Sequence, residues 1–370
     1  MPRRLLTLVS GLSLGAASSL GAQSILDLSA RLAPQFHSYK VDAPSNLTIS
    51  EFSVPMYLLL PITSNLSFDV GSSYTNARVE QTGTTNAVST ISGLTDTQIR
   101  GNLVLGNDFF VITGGVNLPT GKSTVSVDQR TAAGLIGSDF LAFPITNMGT
   151  GLGGTGGLAM ALPLGDDWNF GLGMSVRHSA QYDPFDLQGA QVLHYQPGNE
   201  YRGRVGLDHP VGTGRFSLGL TYSTFGDDNL GGSIYNTGNR YLGQLDYNDS
   251  FGPGRVSLSG WNLFRTRGTL ADSSIIDKED IASGTIAYGV PLGGVIVEPN
   301  VEGRTWYQPG SSTSYLGTFG VRMQFSMGGL TVMPSGGFSV GVLAAAQAGT
   351  VGNQTASLTG FHGMLMIRVR

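Results

Sequence analysis

Apolar and polar residues alternate one by one over many segments of this chain. From Trp168 to Arg177 and from Phe216 to Ser223, an apolar side chain occupies every second position, and Gly, Ser, Thr, Asn or Arg fills the positions between. Successive side chains of a β-strand point to opposite faces of a sheet, so each segment has one apolar and one polar face. The pattern predicts an all-β fold.

About sixteen such segments follow one another, and short turns between them alternate with longer polar links. The predicted strands are 25–39, 47–60, 65–78, 96–106, 109–118, 152–164, 168–180, 200–210, 215–225, 239–249, 255–267, 280–291, 295–306, 314–326, 330–342 and 356–369. Two weaker segments, 152–164 and 330–342, leave twelve or fourteen strands as alternatives. Both chain ends are expected on the side of the short turns.

Two architectures fit amphipathic strands: a soluble sandwich and a transmembrane barrel. The regular alternation of short and long links is typical of periplasmic turns and extracellular loops, whereas a sandwich with Greek-key connections has no reason to keep it. Aromatic residues near the segment ends, such as Trp168, Tyr222, Trp306 and Tyr315, suit the girdles at a membrane interface. We therefore predict a transmembrane antiparallel up-and-down β-barrel.

The N-terminal residues indicate export. Two arginines at positions 3 and 4, an apolar stretch from Leu5 to Leu14 and small residues from Ser18 to Ala22 have the order of a secretory signal peptide. We expect residues 1–22 to be removed and residues 23–370 to form the barrel. The chain has 55 Gly, no Cys and only 12% charged residues, against about 25% in soluble domains. These features favour the cell outer membrane, with membrane lipid and the barrel-insertion machinery as partners.

Charged residues within the strands are expected to face the lumen. An Arg or Lys facing lipid at the membrane midplane costs about 2–4 kcal/mol, so an inward orientation is strongly favoured. The predicted lumen-facing residues, which would tune solute selectivity, are Asp69, Arg100, Arg177, Arg202, Arg204, Asp208, Arg240, Asp246, Glu298, Glu302, Arg304 and Arg322. Arginine is in slight excess among them.

Motifs for chemistry are weak. The segment from Thr113 to Thr124 resembles a phosphate-binding loop, but Gly115 lies one position too early relative to the Gly121-Lys122 pair. The five histidines show no metal-ligand spacing; His178 with Asp183, or His194 alone, are the candidates for a hydrolytic site at the barrel rim. We predict no catalytic residue, no cofactor and no metal, and the net charge of −4 does not suggest nucleic-acid binding.

One segment carries a family resemblance. The run from Gly114 to Lys122, Gly-Gly-Val-Asn-Leu-Pro-Thr-Gly-Lys, resembles a recurring G-x-x-L-P-T-G segment. That segment is found in the outer-membrane transporter-like proteins grouped with the meta-pathway of phenol degradation. The resemblance implies a barrel transporter, with aromatic or other hydrophobic compounds among its solutes, and no catalytic residue.

Two functions follow from the sequence. The first is a channel or transporter for the passive passage of small solutes, such as aromatic or hydrophobic compounds. The alternative is a structural or adhesive barrel whose extracellular loops bind partners. The sequence leaves open which solute passes, whether the lumen is an open pore or sealed, the oligomeric state, and whether the segment 119–151 constricts the lumen.

Overall fold

Sixteen antiparallel strands form a single closed barrel in a computed structural model of the chain. The structure describes residues 29–42, 46–83, 86–106, 109–165, 167–186, 192–344 and 354–369. The expected signal peptide, residues 1–22, and the C-terminal Arg370 lie outside these ranges. The prediction of a transmembrane-type barrel of about sixteen strands is confirmed, and both weak segments are strands.

Two of the sixteen strands are interrupted. Strand β1 consists of Ser29–Leu32 and Gln35–Val41, and strand β4 consists of Ala87–Leu94 and Thr97–Leu105. The others are β2 Leu47–Pro61, β3 Leu66–Gln81, β5 Phe110–Leu118, β6 Gly153–Leu164, β7 Trp168–Ser179, β8 Glu200–Val211, β9 Gly214–Phe225, β10 Arg240–Phe251, β11 Gly254–Arg265, β12 Glu279–Leu292, β13 Val295–Tyr307, β14 Ser314–Met327, β15 Leu330–Ala344 and β16 Thr355–Val369.

Each strand pairs with its neighbours in the sequence, and the first strand pairs with the last. Both pieces of β1 lie between β2 and β16, with Ala30 opposite Val369 and Gln35 opposite Met364. Closure leaves no strand edge exposed, which is the condition for a sheet to cross a membrane because lipid offers no hydrogen-bond partner.

Short turns and long loops alternate strictly along the chain. Seven turns of two to four residues lie at one end of the barrel, and links of up to 34 residues, the longest being 119–152, lie at the other. The β12–β13 turn is Gly293-Gly294, with φ of 56° and 94°. Two consecutive positive φ angles define the turn type that matches the twist of a β-hairpin, and glycine adopts them without strain.

The outer face of the barrel is apolar. The side chains of Met174 and Phe319 are each 60% exposed on this face, and Phe338 is 56% exposed. A strand of twelve residues, such as β7, is about 40 Å long and, tilted by about 40°, spans about 30 Å, the thickness of a hydrocarbon core. This is the architecture of a barrel in the bacterial outer membrane.

One aromatic residue of the predicted girdle lies inside the barrel instead. Trp168, Tyr222 and Tyr315 are exposed on the outer surface, but Trp306 is 1% exposed and its indole N–H donates to Glu279 Oε2 at 3.1 Å. Trp306 therefore belongs to the barrel interior and not to an interfacial girdle. Trp306 lies two residues after Arg304 on β13, so the side chains of both residues point to the same, inward face.

The sequence pattern predicts one polar face for each strand, but this is wrong for the inward faces near the loop end. There, inward positions of β1–β4 and β11–β16 are apolar, among them Val41, Ile49, Val79, Leu316 and Leu358, all buried. An apolar inner wall is unfavourable beside water, so it requires a covering of other apolar groups. The β5–β6 loop provides that covering.

Candidate functional site in the barrel lumen

The β5–β6 loop, residues 119–152, folds into the lumen. It contains a two-residue strand, Val125–Ser126, and the helix α1, Arg130–Ile136. Its buried apolar side chains are Ala132, Leu135, Ile136, Phe140, Leu141, Phe143 and Met148, and they form one cluster with the inner walls of β1–β4 and β11–β16. The loop thus fills one side of the lumen at its outer end. None of the helices that the structure describes is long and apolar enough to cross a membrane.

Both ends of this loop are anchored on one carboxylate, Asp96. The oxygen Oδ1 of Asp96 accepts the backbone N–H of Gly121 at 3.0 Å, and Oδ2 accepts that of Thr150 at 2.7 Å. The amide of Asn117 also donates to Oδ2, at 2.8 Å. One buried side chain therefore fixes where the chain leaves the wall and where it returns. We call Asp96, Asn117, Gly121 and Thr150 the clasp.

A β-bulge in β4 turns Asp96 inward. Tyr74 of β3 lies opposite Leu94, and Gly71 lies opposite Gln98, so β4 has four steps where β3 has three. One extra residue in a strand bends it and reverses the inside–outside alternation beyond that point. The bulge therefore places Asp96 in the interior and lets Arg100 face the lumen from an even position.

The L-P-T-G segment joins the loop to this bulge. The hydroxyl of Thr120 accepts the backbone N–H of Thr97 at 2.8 Å and donates to the carbonyl of Thr95 at 3.1 Å. A Cβ atom on Gly121 would lie 2.2 Å from the carbonyl oxygen of Met148, so no larger residue fits there without displacement. The segment that resembles a phosphate-binding loop, Thr113 to Thr124, therefore reverses the direction of the chain and leads it into the lumen.

The tip of the loop is held on the opposite wall. Arg265 of β11 forms ion pairs with Asp139 of the loop and with Glu279 of β12, each at 2.9 Å. Arg304 donates to the carbonyl of Phe140 at 2.7 Å, and the Tyr39 hydroxyl donates to the carbonyl of Leu141 at 3.2 Å. Polar contacts at both ends and an apolar centre make the loop part of the wall.

A cavity of about 990 Å³ remains beside the loop. Near the loop end of the barrel it is lined by Asn117, Arg177 and Glu200, and near the turn end by Arg31 and Arg215. Small inward residues of β5–β9 leave this space, namely Gly115, Gly157, Ala159, Ala161, Gly171, Gly173, Ser175, Gly206 and Gly219. The cavity therefore extends along most of the barrel. Near the loop end it lies against β5–β9, and farther toward the turn end residues of other strands, such as Arg31 and Arg322, also line it.

Eight of the twelve lumen candidates line this cavity. They are Arg100, Arg177, Arg202, Arg204, Asp208, Asp246, Glu298 and Arg322. Asp69 lies behind Arg100 and pairs with it at 3.2 Å. The other three are not among the residues that line the cavity. Arg304 and Glu302 pair at 3.0 Å beside the loop, and the Arg240 guanidinium lies 5.4 Å from the centre of the Phe225 ring.

The charged side chains of the cavity are largely paired with one another. Arg202 pairs with Glu200 at 2.6 Å, Arg322 pairs with Glu298 at 2.7 Å, and Arg215 pairs with Asp208. Arg177 donates to the hydroxyl of Thr150 at 3.1 Å. Carboxylates of the wall are therefore covered by neighbouring guanidinium groups.

Several interior residues are not predicted by the sequence pattern. Arg31, Arg215, Arg265 and Glu279 are not among the predicted lumen-facing residues, and the segment 119–151 is predicted as a polar link. Hairpin pairing gives a signal for Arg215, because the β8–β9 turn sets Asp208 opposite Ser217, on the same face as Arg215. Leu316 on the polar face of β14 was a signal for the covering loop.

The rim histidines make different contacts from those expected. Asp183 pairs with His194, at 2.6 Å, and His178 instead contacts the amide oxygen of Asn199 at 2.7 Å. Both members of the Asp183–His194 pair are largely exposed. Among the residues that the structure describes, no group of three His, Asp or Glu side chains is arranged to bind a metal ion.

Two tyrosines join the two ends of the β7–β8 loop. Tyr182 and Tyr195 exchange backbone hydrogen bonds at 3.0 and 2.8 Å, and their rings pack edge to face. Burial, with the nearby Tyr235 and Asp228, raises the pKa of Tyr182 to about 12, and burial also raises the pKa of Tyr195. Both phenols stay neutral at ordinary pH, so this part of the rim adds no negative charge from tyrosine.

Comparisons with known proteins do not assign a family. No protein-family model and no curated protein matches the sequence. Among solved structures, Pseudomonas putida OprB is 10% identical, with a TM-score of 0.48 and 93% of each chain covered. The anion-selective porin from Comamonas acidovorans is 12% identical, with a TM-score of 0.43, over 93% of this chain and 98% of that chain.

A third solved structure, an outer membrane channel from Pseudomonas putida F1, is 10% identical, with a TM-score of 0.42, over 94% of this chain and 96% of that chain. At these values no property of those proteins is transferred to this chain. Membership of the phenol-degradation group stays an expectation from the L-P-T-G motif alone.

Proposed function

We propose that this barrel is a channel for the passive passage of small solutes across the outer membrane. One observation carries the proposal: the cavity beside the in-folded loop has lining residues from Arg177 and Glu200 near the loops to Arg31 and Arg215 near the turns. The polar and charged lining keeps this space hydrated, as in barrels of this size that conduct.

The loop narrows the path, so the size of the solute is limited by the space between the loop and β5–β9. Solutes with an apolar part, such as the aromatic compounds that the L-P-T-G resemblance implies, suit a wall built from Gly and Ala between charged groups. Selectivity in this proposal resides in the charged residues of the cavity. We propose no enzymatic role for this barrel.

Conductance of the purified protein in planar lipid bilayers tests the proposal. We expect stepwise current increases, and we expect Gly173→Phe to reduce the current per step because position 173 lines the cavity. A Cβ atom at 173 meets only ordinary contacts, the nearest at 3.8 Å, so the ring has to extend into the lumen.

The matched control is Gly203→Phe. Gly203 pairs with Met174 on the adjacent strand, on the lipid-facing side, and a Cβ atom there has nothing within 4 Å. Both variants add the same side chain to neighbouring strands, so only the face differs. A barrel that conducts nothing, or two variants with equal currents, would refute passage along this wall.

A further inference from the structure

Positive charge exceeds negative charge in the cavity wall, although the whole chain has a net charge of −4. Among the described residues, seven arginines and four carboxylates line the cavity. The arginines are Arg31, Arg100, Arg177, Arg202, Arg204, Arg215 and Arg322. Adding Asp69, which lies behind Arg100, still leaves an excess of two positive charges. The acidic residues that make the chain negative are therefore concentrated elsewhere.

Three of these arginines form a row on two adjacent strands. Arg202 and Arg204 of β8 point inward two positions apart, about 7 Å along the strand. Arg177 of β7 lies opposite Glu200 at the loop end of the same pair of strands. We call Arg177, Arg202 and Arg204 the arginine ladder; all three line the cavity.

Glycines beside the ladder give it space. Gly173 lies opposite Arg204 in the register of β7 and β8. On the other side, a Cβ atom at Gly219 would lie 3.4 Å from Nη2 of Arg204. The Arg204 side chain therefore lies along glycines on both sides, and its guanidinium also donates to Oε1 of Gln244 at 3.4 Å. An ion in the cavity can approach it from the lumen.

We propose that the arginine ladder makes the channel select for anions and bind small oxyanions, carboxylates and phosphates, in transit. This proposal rests on the proposed channel function. A guanidinium group presents parallel N–H donors that match two oxygens of one anion. A cleft with charge of one sign and low-dielectric walls raises the local concentration of the opposite ion.

The ladder is suited to transit because each site is shared. Arg202 also donates to Glu200, and Arg177 also donates to the hydroxyl of Thr150. An anion therefore competes with groups of the wall and is not held as tightly as by a free guanidinium. Because Arg202 and Arg204 lie about 7 Å apart, an anion can pass from one guanidinium group to the next without full rehydration.

Reversal potentials in a potassium chloride gradient test the selectivity. We expect the wild-type channel to favour chloride over potassium. Arg177→Gln and Arg204→Gln are each expected to lower the chloride-to-potassium permeability ratio about twofold or more, because one unit charge about 10 Å from an ion changes its occupancy by about twofold in water-like surroundings. The matched control is Arg267→Gln, which removes the same charge from an exposed loop residue paired with Asp277.

Added sodium benzoate and sodium phosphate test oxyanion binding. We expect each to reduce the chloride current of the wild type and to act more weakly on the two ladder variants, while neutral benzamide has no effect. Heat-modifiable migration in detergent gels verifies that each variant has folded. The two variants lie on different strands, so if one of them fails to fold, the other still tests the proposal.

The outcomes separate the two proposals. A channel that conducts but favours potassium, or whose selectivity changes equally in Arg267→Gln, overturns the ladder and leaves the channel intact. Chloride selectivity with no effect of benzoate or phosphate overturns oxyanion binding. A protein that inserts into the bilayer and conducts no ion overturns both.

Discussion

Removal of the Asp96 carboxylate is expected to release the in-folded loop. The side chain is 8% exposed and accepts three N–H groups, from Asn117, Gly121 and Thr150. A hydrogen bond to a charged group contributes about 1.5–3 kcal/mol, so three such bonds have an upper bound of about 9 kcal/mol. The freed donors can reach water once the loop moves, and we therefore expect Asp96→Ala to cost about 3 kcal/mol in loop attachment.

A change of about 3 kcal/mol raises the population of the detached loop about 100-fold. The barrel itself is expected to remain closed, because its strand pairing does not pass through the Asp96 side chain. The apolar centre of the loop and the Asp139–Arg265 ion pair oppose complete release. The expected result is a loop with mobile ends and a larger, noisier current.

Limited trypsin digestion measures this release directly, because Lys122 follows Gly121 at the start of the loop. Cleavage after Lys122 is expected to be much faster in Asp96→Ala than in the wild type. Asp96→Asn keeps one acceptor oxygen and should be intermediate. The control Asp183→Ala removes the same charge at the rim without touching the clasp. If Asp96→Ala retains wild-type trypsin resistance and wild-type current noise, the clasp does not hold the loop.

Two further substitutions test the loop from its centre and its entry. Leu141→Ala is expected to lower the free energy of unfolding by about 2–5 kcal/mol, because Leu141 is fully buried between loop and wall. This change can be measured by urea titration, with the gel shift between the folded and unfolded forms as the signal. An unchanged urea midpoint would contradict the packing of Leu141 against the wall. Gly121→Ala should displace the loop and accelerate cleavage after Lys122. The control Gly114→Ala should not, because the space at its Cβ position is open. Equal digestion rates of the two variants would contradict the close contact at Gly121.

The barrel could be predicted from the sequence because period-two alternation is local. Strand β7 was predicted as 168–180 and extends from Trp168 to Ser179. The start of β4 was missed by nine residues, since the strand begins at Ala87 and was predicted from 96. The bulge at Thr95 and Asp96 reverses the alternation there, so the two halves of β4 did not read as one strand.

The in-folded loop could not be placed from the sequence for a different reason. Its apolar residues, such as Phe140 and Leu141, are visible in the segment, and inward apolar positions such as Leu316 are visible in the strands. Which strands meet the loop depends on the tilt and stagger of the whole barrel, and these are not encoded in any local pattern. The ion pair between Asp139 and Arg265 joins residues 126 positions apart.

In the proposed channel, the position of the loop determines which part of the wall a solute meets near the loop end. Sixteen strands enclose more space than a selective path needs, so the side chains of most strands would lie too far from a central solute to act on it. The apolar side chains of the loop pack on β1–β4 and β11–β16. Near the loop end, the open space is therefore left against β5–β9, where Gly, Ala and Ser make room and the arginine ladder lines the cavity. If the proposed channel function holds, we therefore expect selectivity to depend mainly on the arginine ladder. A charge change on the covered side, such as at Glu302, should alter loop packing before it alters ion preference.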